Sequence, residues 1–208
     1  YDVTIAMPTR DAGPPMRRIL EIVLAQETDK RVEFFAVDSG SSDDTRELLE
    51  KFHIPIVDYP REGFNWGSLR EFCYTRAQGR IIINLSQDAV PARTDWLENL
   101  IRPLDDPKVG VSSGSSIPDP KRHFPQFPWE RNGYFYFTRE IKKFTTKYGR
   151  GVSFGNSAVP RTVWEALHFD KQATGEDFQF QMKLHAAGYT AAFPEDAPVL
   201  HHHNYQLK

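Results

Sequence analysis

The chain has 208 residues, 39% of them apolar and 26% charged, and a formal net charge of −2. That length supports one large domain with a real core, and the near-neutral balance excludes a general polyanion binder, so no nucleic-acid partner is expected. The single cysteine, Cys73, excludes an internal disulfide and fits a reducing compartment, and no apolar run approaches the roughly 18–20 residues of a membrane span.

Along the first half, strand and helix patterns alternate. Val3–Met7 reads as a strand, and Met16, Ile19, Leu20 and Val23 then fall on one face of a helix. Val32–Val37 is a second apolar run ending at Asp38. Ser41-x-x-Asp44 has the form of a capping box, and Thr45, Leu48, Leu49 and Phe52 form a helical stripe after it. Ile54–Val57 is a short strand. Leu69, Phe72, Cys73 and Ala77 make another helix, which Gly79 closes. Ile81–Leu85 is a strand, and a turn at Ser86–Ala89 leads to a helix with Leu97, Leu100, Ile101 and Leu104 inward. Val109–Ser112 is one more strand.

Such alternation, with continuously apolar strands, predicts an α/β fold whose mostly parallel central sheet is flanked by helices. Ligands in these folds bind beyond the carboxyl ends of strands. Thr9, Arg10, Asp38 and Asp88 all lie just past such ends.

The pattern changes near Pro118. Residues 118–150 are rich in proline, aromatic and basic side chains, and regular structure resumes near Val152. A helix after Pro160 buries Val163 and Leu167, and another runs from about Glu176 to Ala187 with Gly188 as its stop. A last strand leads into Leu200-His201-His202-His203.

Five motifs carry chemistry, each with a plainer reading beside it. In "VDSGSSDDT" (37–45), Asp38 accepts from a nucleotide base or ribose, or the segment merely caps a helix. In "SQDA" (86–89), Asp88 faces a magnesium or manganese ion shared with substrate phosphates, or it is a polar turn residue. In "GED" (175–177), Glu176 and Asp177 open a helix, which suits a general base or simply complements the helix dipole. In "LHHHNY" (200–205), His201 and His203 share a strand face and can act together on a divalent metal, or the cluster is surface decoration. In "FNWGSLREF" (64–72), Gly67 allows close backbone approach to a ligand, and Arg70 meets a phosphate or is solvated. No GxGxxG or GxxxxGK[ST] pattern is present.

Taken together, "AMPTRDAG", "VDSGSSDDT", "GFNWGSLREF", "NLSQDAVPARTDWLENL", "FGNSAVPRTVWE" and "GEDFQFQMKLHAAGY" resemble family-two inverting glycosyltransferases of the GT-A (Rossmann-like) fold, in order and spacing across most of the chain. "SQDAVP" and "HxHNY" look most like the bacterial rhamnosyltransferase-like branch, and no QxxRW motif of a processive polymerase occurs. The resemblance implies one GT-A domain over 1–208, with a nucleotide-binding half at 1–117 and an acceptor-binding and catalytic half at 118–208. It implies Asp177 as catalytic base with Glu176 beside it, and a nucleotide-sugar site of Pro8, Thr9, Arg10, Asp38, Ser86, Gln87 and Asp88. Asp88 matches the last carboxylate of the family's DxD motif, and Ser86 stands where its first carboxylate usually is.

The resemblance further implies Mg²⁺ or Mn²⁺ as cofactor, held by Asp88 with His201 or His203. The donor is a nucleoside-diphosphate sugar of UDP, GDP or dTDP type. The acceptor is a glycan or a lipid-linked sugar, met by Trp129 and Asn156, and the basic stretch adds peripheral membrane contact at the cytoplasmic, inner face. Two other classes compete. A non-catalytic nucleotide-sugar-binding domain draws support from Ser86, and a sugar nucleotidyltransferase wants a Gly-rich basic loop after the first strand, which Pro8–Gly13 matches poorly.

Overall fold

The computed structural model describes residues 1–117, 119, 146–171 and 175–201. Its main sheet has seven strands in the order β3-β2-β1-β4-β8-β6-β9. These are β1 (Val3–Thr9), β2 (Val32–Asp38), β3 (Ile56–Asp58), β4 (Ile81–Leu85), β6 (Val109–Ser113), β8 (Asn156–Pro160) and β9 (Thr190–Ala192). Strands β3, β2, β1 and β4 are mutually parallel. The prediction of a mostly parallel sheet holds there, but β8 enters antiparallel to both β4 and β6. A second, three-stranded sheet joins β5 (Val90–Pro91), β10 (Val199–Leu200) and β7 (Ser116–Ile117).

Each central strand sends alternate side chains to two cores, as the two-residue period of a strand requires. Ile5, Met7, Ile83, Leu85 and Ala158 pack against α1 (Met16–Leu24), α2 (Thr45–Lys51) and α4 (Trp96–Ile101). Ala6, Ile82, Val111 and Val159 pack on the other face against α3 (Trp66–Arg76), α5 (Arg161–Leu167) and α6 (Glu176–Ala186). Covering both faces is what makes the strands apolar throughout. β1 is fully buried from Val3 to Thr9.

Several local predictions change. Ser41 and Asp44 form no capping box: α2 begins at Thr45 without a side-chain cap, because Asp38 takes the Ser41 hydroxyl. The helix expected to run through Leu104 stops at Ile101, and a 3₁₀ turn covers Arg102–Asp105, where Pro103 cannot donate to an α-helical bond. Gly67 does allow a close approach, but to the chain itself. A Cβ there stands 2.0 Å from the Asp170 carbonyl oxygen. Among the described residues, no helix is long and apolar enough to cross a membrane.

Candidate active site

The carboxyl ends of β1, β2 and β4 open into a cleft of about 630 Å³, a volume typical of small-molecule sites. Pro8, Thr9, Arg10, Ser86, Gln87, Asp88, Glu176, Asp177 and His201 line it, so the structure brings together most of the expected residues. Parallel register places Thr9 beside Asp38 at the strand ends. Two loops then tie the floor together. Ala12 and Gly13 N–H groups donate to the Thr45 hydroxyl at 2.8 and 3.1 Å, and Ser42 N–H donates to Asp11 at 2.7 Å.

Gln87 fastens this floor to the β4 turn. Its amide accepts from Arg10 N–H at 2.6 Å and donates to Arg10 O at 2.8 Å. The turn itself spans Ser86–Ala89, closed by Ala89 N–H donating to Ser86 O at 3.0 Å. Its third residue, Asp88, projects into the cleft with 42% of its side chain exposed, and Oδ2 lies 3.3 Å from His201 Nε2. β10 delivers His201 by pairing with β5, the strand that follows the same turn.

A carboxylate and an imidazole at that separation fit a divalent ion, since neighbouring ligands about 2.1 Å from one octahedral ion lie about 3 Å apart. The pair is two protein ligands, and among the described residues no group of three or more metal-binding side chains occurs. Such a site suits an ion whose remaining ligands are water and substrate phosphate. His203 and Trp129, expected at the metal and the acceptor, lie outside the described residues.

Asp38 sits at the carboxyl end of β2 but is 1% exposed and does not line the cleft; its neighbour Ser39 does. Its carboxylate accepts from Gly40 N–H at 3.3 Å, Ser41 N–H at 3.1 Å, the Ser41 hydroxyl and Arg46 Nη1 at 2.9 Å. Burial disfavours its charge, but those donors, Ser41 foremost, outweigh it and hold the carboxyl below its usual range. Four donors fill the carboxylate's acceptor sites, so a nucleotide contact there requires exchange of one of them.

The opposite wall is built around Arg70, whose role no motif reading captured. The side chain is 8% exposed, so it is not the solvated residue of the plainer reading, and it lines the cleft. Its Nε donates to Glu176 at 2.9 Å, and its Nη1 donates to Phe154 O at 3.1 Å and Asn84 Oδ1 at 3.3 Å. Asn84 in turn donates to the Tyr74 hydroxyl at 2.8 Å. Arg70 therefore binds α3, β4, the segment before β8 and α6 into one unit. A signal was present in the sequence: Arg70 sits three and four residues before Cys73 and Tyr74, inside the apolar stripe of α3.

Gly175, in the left-handed region at φ 82°, turns the chain into α6 and sets Glu176 and Asp177 at its start. Glu176 points inward to Arg70. Asp177 reaches the cleft, with Oδ2 accepting weakly from Phe154 N–H at 3.4 Å and Oδ1 3.7 Å from Arg70 Nη2 but without a hydrogen-bond donor. Burial, opposed by the Arg70 charge and reinforced by Glu176, pushes the Asp177 carboxyl up to about 7. A carboxylate of that basicity, short of donors and facing a cleft, is suited to accept a proton near neutral pH.

Asn156 is a correction. It is 1% exposed and absent from the cleft lining; its carboxamide accepts from Trp96 Nε1 at 3.0 Å and donates to Ala197 O at 3.0 Å and Ser115 O at 3.3 Å. Those bonds hold α4 and the small sheet to β8 and use both N–H donors of the carboxamide, which lies buried away from any acceptor in the cleft.

The chain has recognisable relatives in sequence and in fold. Residues 4–166 match the family described as Glycosyl transferase family 2. The chain is 29% identical over 214 residues to the O-antigen chain rhamnosyltransferase RfbN of Salmonella typhimurium, covering 98% of this chain and 67% of RfbN. It is 26% identical over 212 residues to the O-antigen chain rhamnosyltransferase WbaN of Salmonella anatum, covering 97% and 66%. The chain thus spans about two thirds of the length of these relatives. In fold, it superposes on the mannosyltransferase PcManGT from Pyrobaculum calidifontis, solved with GDP-Man and Mn²⁺, with a TM-score of 0.72 at 21% identity over 96% of this chain and 57% of that one. Glucosyl-3-phosphoglycerate synthase from Mycobacterium tuberculosis, solved with Mn²⁺ and UDP-glucose, gives 0.70 at 16% identity over 99% and 72%.

Proposed function

The chain belongs to glycosyl transferase family 2 and has the GT-A fold, and we propose that it moves a sugar from a nucleoside-diphosphate sugar to an acceptor hydroxyl with inversion at the anomeric carbon. The observation that carries this reading is the cleft with two unlike walls. On one, Asp88 and His201 stand 3.3 Å apart. On the other, Asp177 is a poorly solvated carboxylate backed by Arg70 and Glu176.

The floor at Pro8, Thr9, Arg10 and Ser39 receives the nucleoside, with Asp38 reaching the base or ribose by exchange with Ser41 or Arg46. Gln87 holds Arg10 and the Ser86–Asp88 turn in register, so nucleoside and diphosphate subsites keep a fixed spacing. Asp88 and His201 would hold Mg²⁺ or Mn²⁺, which when bound supplies positive charge to the diphosphate leaving group. Asp177 takes the proton of the acceptor hydroxyl as its oxygen bonds to the anomeric carbon. The bond from that carbon to the diphosphate breaks on the opposite face, so configuration inverts. Glu176, held by Arg70, keeps the start of α6 in place and leaves Asp177 as the group that faces substrate. Alignment of the two substrates contributes much of the rate.

The two rhamnosyltransferases point to a 6-deoxyhexose donor and to bacterial polysaccharide synthesis. The acceptor in this reading is a growing glycan, free or lipid-linked; a lipid-linked acceptor would put the reaction at the cytoplasmic face of a membrane.

Calorimetry with UDP, GDP and dTDP, each with and without Mn²⁺, tests the reading. One nucleotide is expected to bind with micromolar affinity, tightened by Mn²⁺ about tenfold or more, equivalent to about 1.4 kcal/mol. Asp88→Ala is expected to remove the Mn²⁺ dependence and leave the metal-free affinity close to wild type. Identical titrations with and without Mn²⁺ in the wild-type protein would show that the Asp88 turn is structural.

A further inference from the structure

Two large aromatic side chains stand exposed in the cleft, and none of the steps above uses them. Phe64 is 41% and Trp66 50% exposed, and both line the cavity. Aromatic surface left in water on the wall of a ligand cleft marks a contact with something apolar on one face. The pair is rigidly built. Between them, Asn65 caps α3 by accepting from Ser68 N–H at 3.1 Å. The two rings meet edge to face, 5.2 Å between centres at 80°, and Tyr59 stands edge-on to Phe64 at 6.4 Å.

Their position relative to the chemistry follows from Arg70. Its guanidinium carbon lies 5.5 Å from the centre of the Trp66 ring, while its nitrogens reach Glu176 at 2.9 Å and Asp177 at 3.7 Å. Trp66 is thus one side chain removed from Asp177. Both belong to the wall whose elements, α3 and α6, pack on the second core. Asp88 belongs to the other wall, since Ala89 and Val90 beside it pack in the first core. An inverting displacement brings the hydroxyl in on the face opposite the departing diphosphate. Side chains on the Asp177 wall therefore meet the acceptor, and those on the Asp88 wall meet the donor diphosphate.

We propose that Phe64 and Trp66 form a stacking ledge for a pyranose ring of the acceptor, the ring that bears the attacking hydroxyl; this rests on the transferase reading above. A pyranose carries C–H groups on its faces and hydroxyls around its rim. Laid on the indole, it hides an apolar face from water and turns one rim hydroxyl toward Asp177, only one side chain away. A phosphate or a serine side chain offers no such face. The ledge therefore selects acceptors whose reacting hydroxyl is on a sugar ring with one unsubstituted apolar face.

The test uses the wild-type protein, Trp66→Ala, Trp66→Phe and Phe64→Ala, with UDP-, GDP- and dTDP-linked hexoses and 6-deoxyhexoses as donors and p-nitrophenyl hexopyranosides as acceptors. Half-exposed Trp66 contributes little to the core, so its variants fold, which circular dichroism checks. Trp66→Ala is expected to raise the acceptor KM about tenfold, with kcat changed by less than about threefold and nucleotide affinity unchanged; Trp66→Phe recovers most of that loss. Phe64→Ala gives a smaller rise of the same kind. An acceptor KM equal to wild type in Trp66→Ala overturns the ledge alone. A weakened nucleotide Kd with acceptor KM unchanged also overturns it and assigns the ring to the nucleobase. Should the wild-type protein release no nucleoside diphosphate from any donor with any acceptor, the transferase reading fails, and the ledge with it.

Discussion

Asp177→Asn is expected to lower kcat by about 10²–10⁴-fold, the range supplied by a positioned general base, while nucleotide affinity stays within about twofold of wild type. The asparagine keeps the shape of the side chain and its contact with Phe154 N–H, observed at 3.4 Å, but cannot take a proton. The measurement is nucleoside-diphosphate release with the donor that calorimetry identifies. Transfer at the wild-type rate in Asp177→Asn would remove Asp177 as the base and direct attention to Glu176.

The same substitution has a stability consequence of definite sign. Folding pushes the Asp177 carboxyl up to about 7, with burial the main cause, from about 3.9 in an unfolded chain. The folded state therefore holds the proton more tightly. Stability from this group is fully present below about pH 4 and is lost as pH rises through about 7. Asp177→Asn escapes that loss. It is expected to be more stable than wild type at pH 8 by about 1–3 kcal/mol, with the difference shrinking toward pH 4. Urea denaturation at the two pH values checks it, and equal gains at both would contradict the linkage. A proton acceptor maintained at a cost to stability is what a catalytic site requires, and an ordinary helix start does not.

Arg70→Leu is the second large effect. The guanidinium is the counter-charge for Glu176 at 2.9 Å and Asp177 at 3.7 Å, and it also satisfies Phe154 O and Asn84. Removing it leaves two carboxyls in a poorly solvated pocket with no cation. Breaking a buried pair in this way costs about 3–5 kcal/mol. The loss is expected to be larger at pH 8 than at pH 5, because protonation of Asp177, whose carboxyl is pushed up to about 7, relieves it. Arg70→Lys keeps the charge without the planar fork, so it restores part of the stability but less of the activity. A loss below about 1 kcal/mol, or one independent of pH, would show that the network does not depend on Arg70.

Strand and helix positions were legible because burial on both faces writes itself into local composition. Ile81–Leu85 and Met16–Val23 needed only their apolar spacing. Where side chains mislead, each has a partner that its own motif does not name. Ser41 reads as a cap for α2, but Asp38, on its other side in the chain, takes its hydroxyl. Arg70 looked solvated, but Glu176, 106 positions away, pairs with it. Asn156 looked available to an acceptor, but Trp96 and Ala197 engage its carboxamide.

By itself, then, the sequence determined the alternating α/β order, the strand ends on which ligands gather, and the residues around Asp88 and Asp177 that carry the family likeness. These are local properties, set by period, turn chemistry and motif spacing. Only the tertiary structure decided which of those residues share a wall. It brought His201 to Asp88 through the pairing of β10 with β5, bound Glu176 to Arg70 and left Asp177 the more exposed of the two carboxylates lining the cleft, and left Phe64 and Trp66 exposed on the Asp177 side. Burial and charge pairing across 100 or so residues of chain depend on packing, and packing is a property of the folded whole that no window of sequence contains.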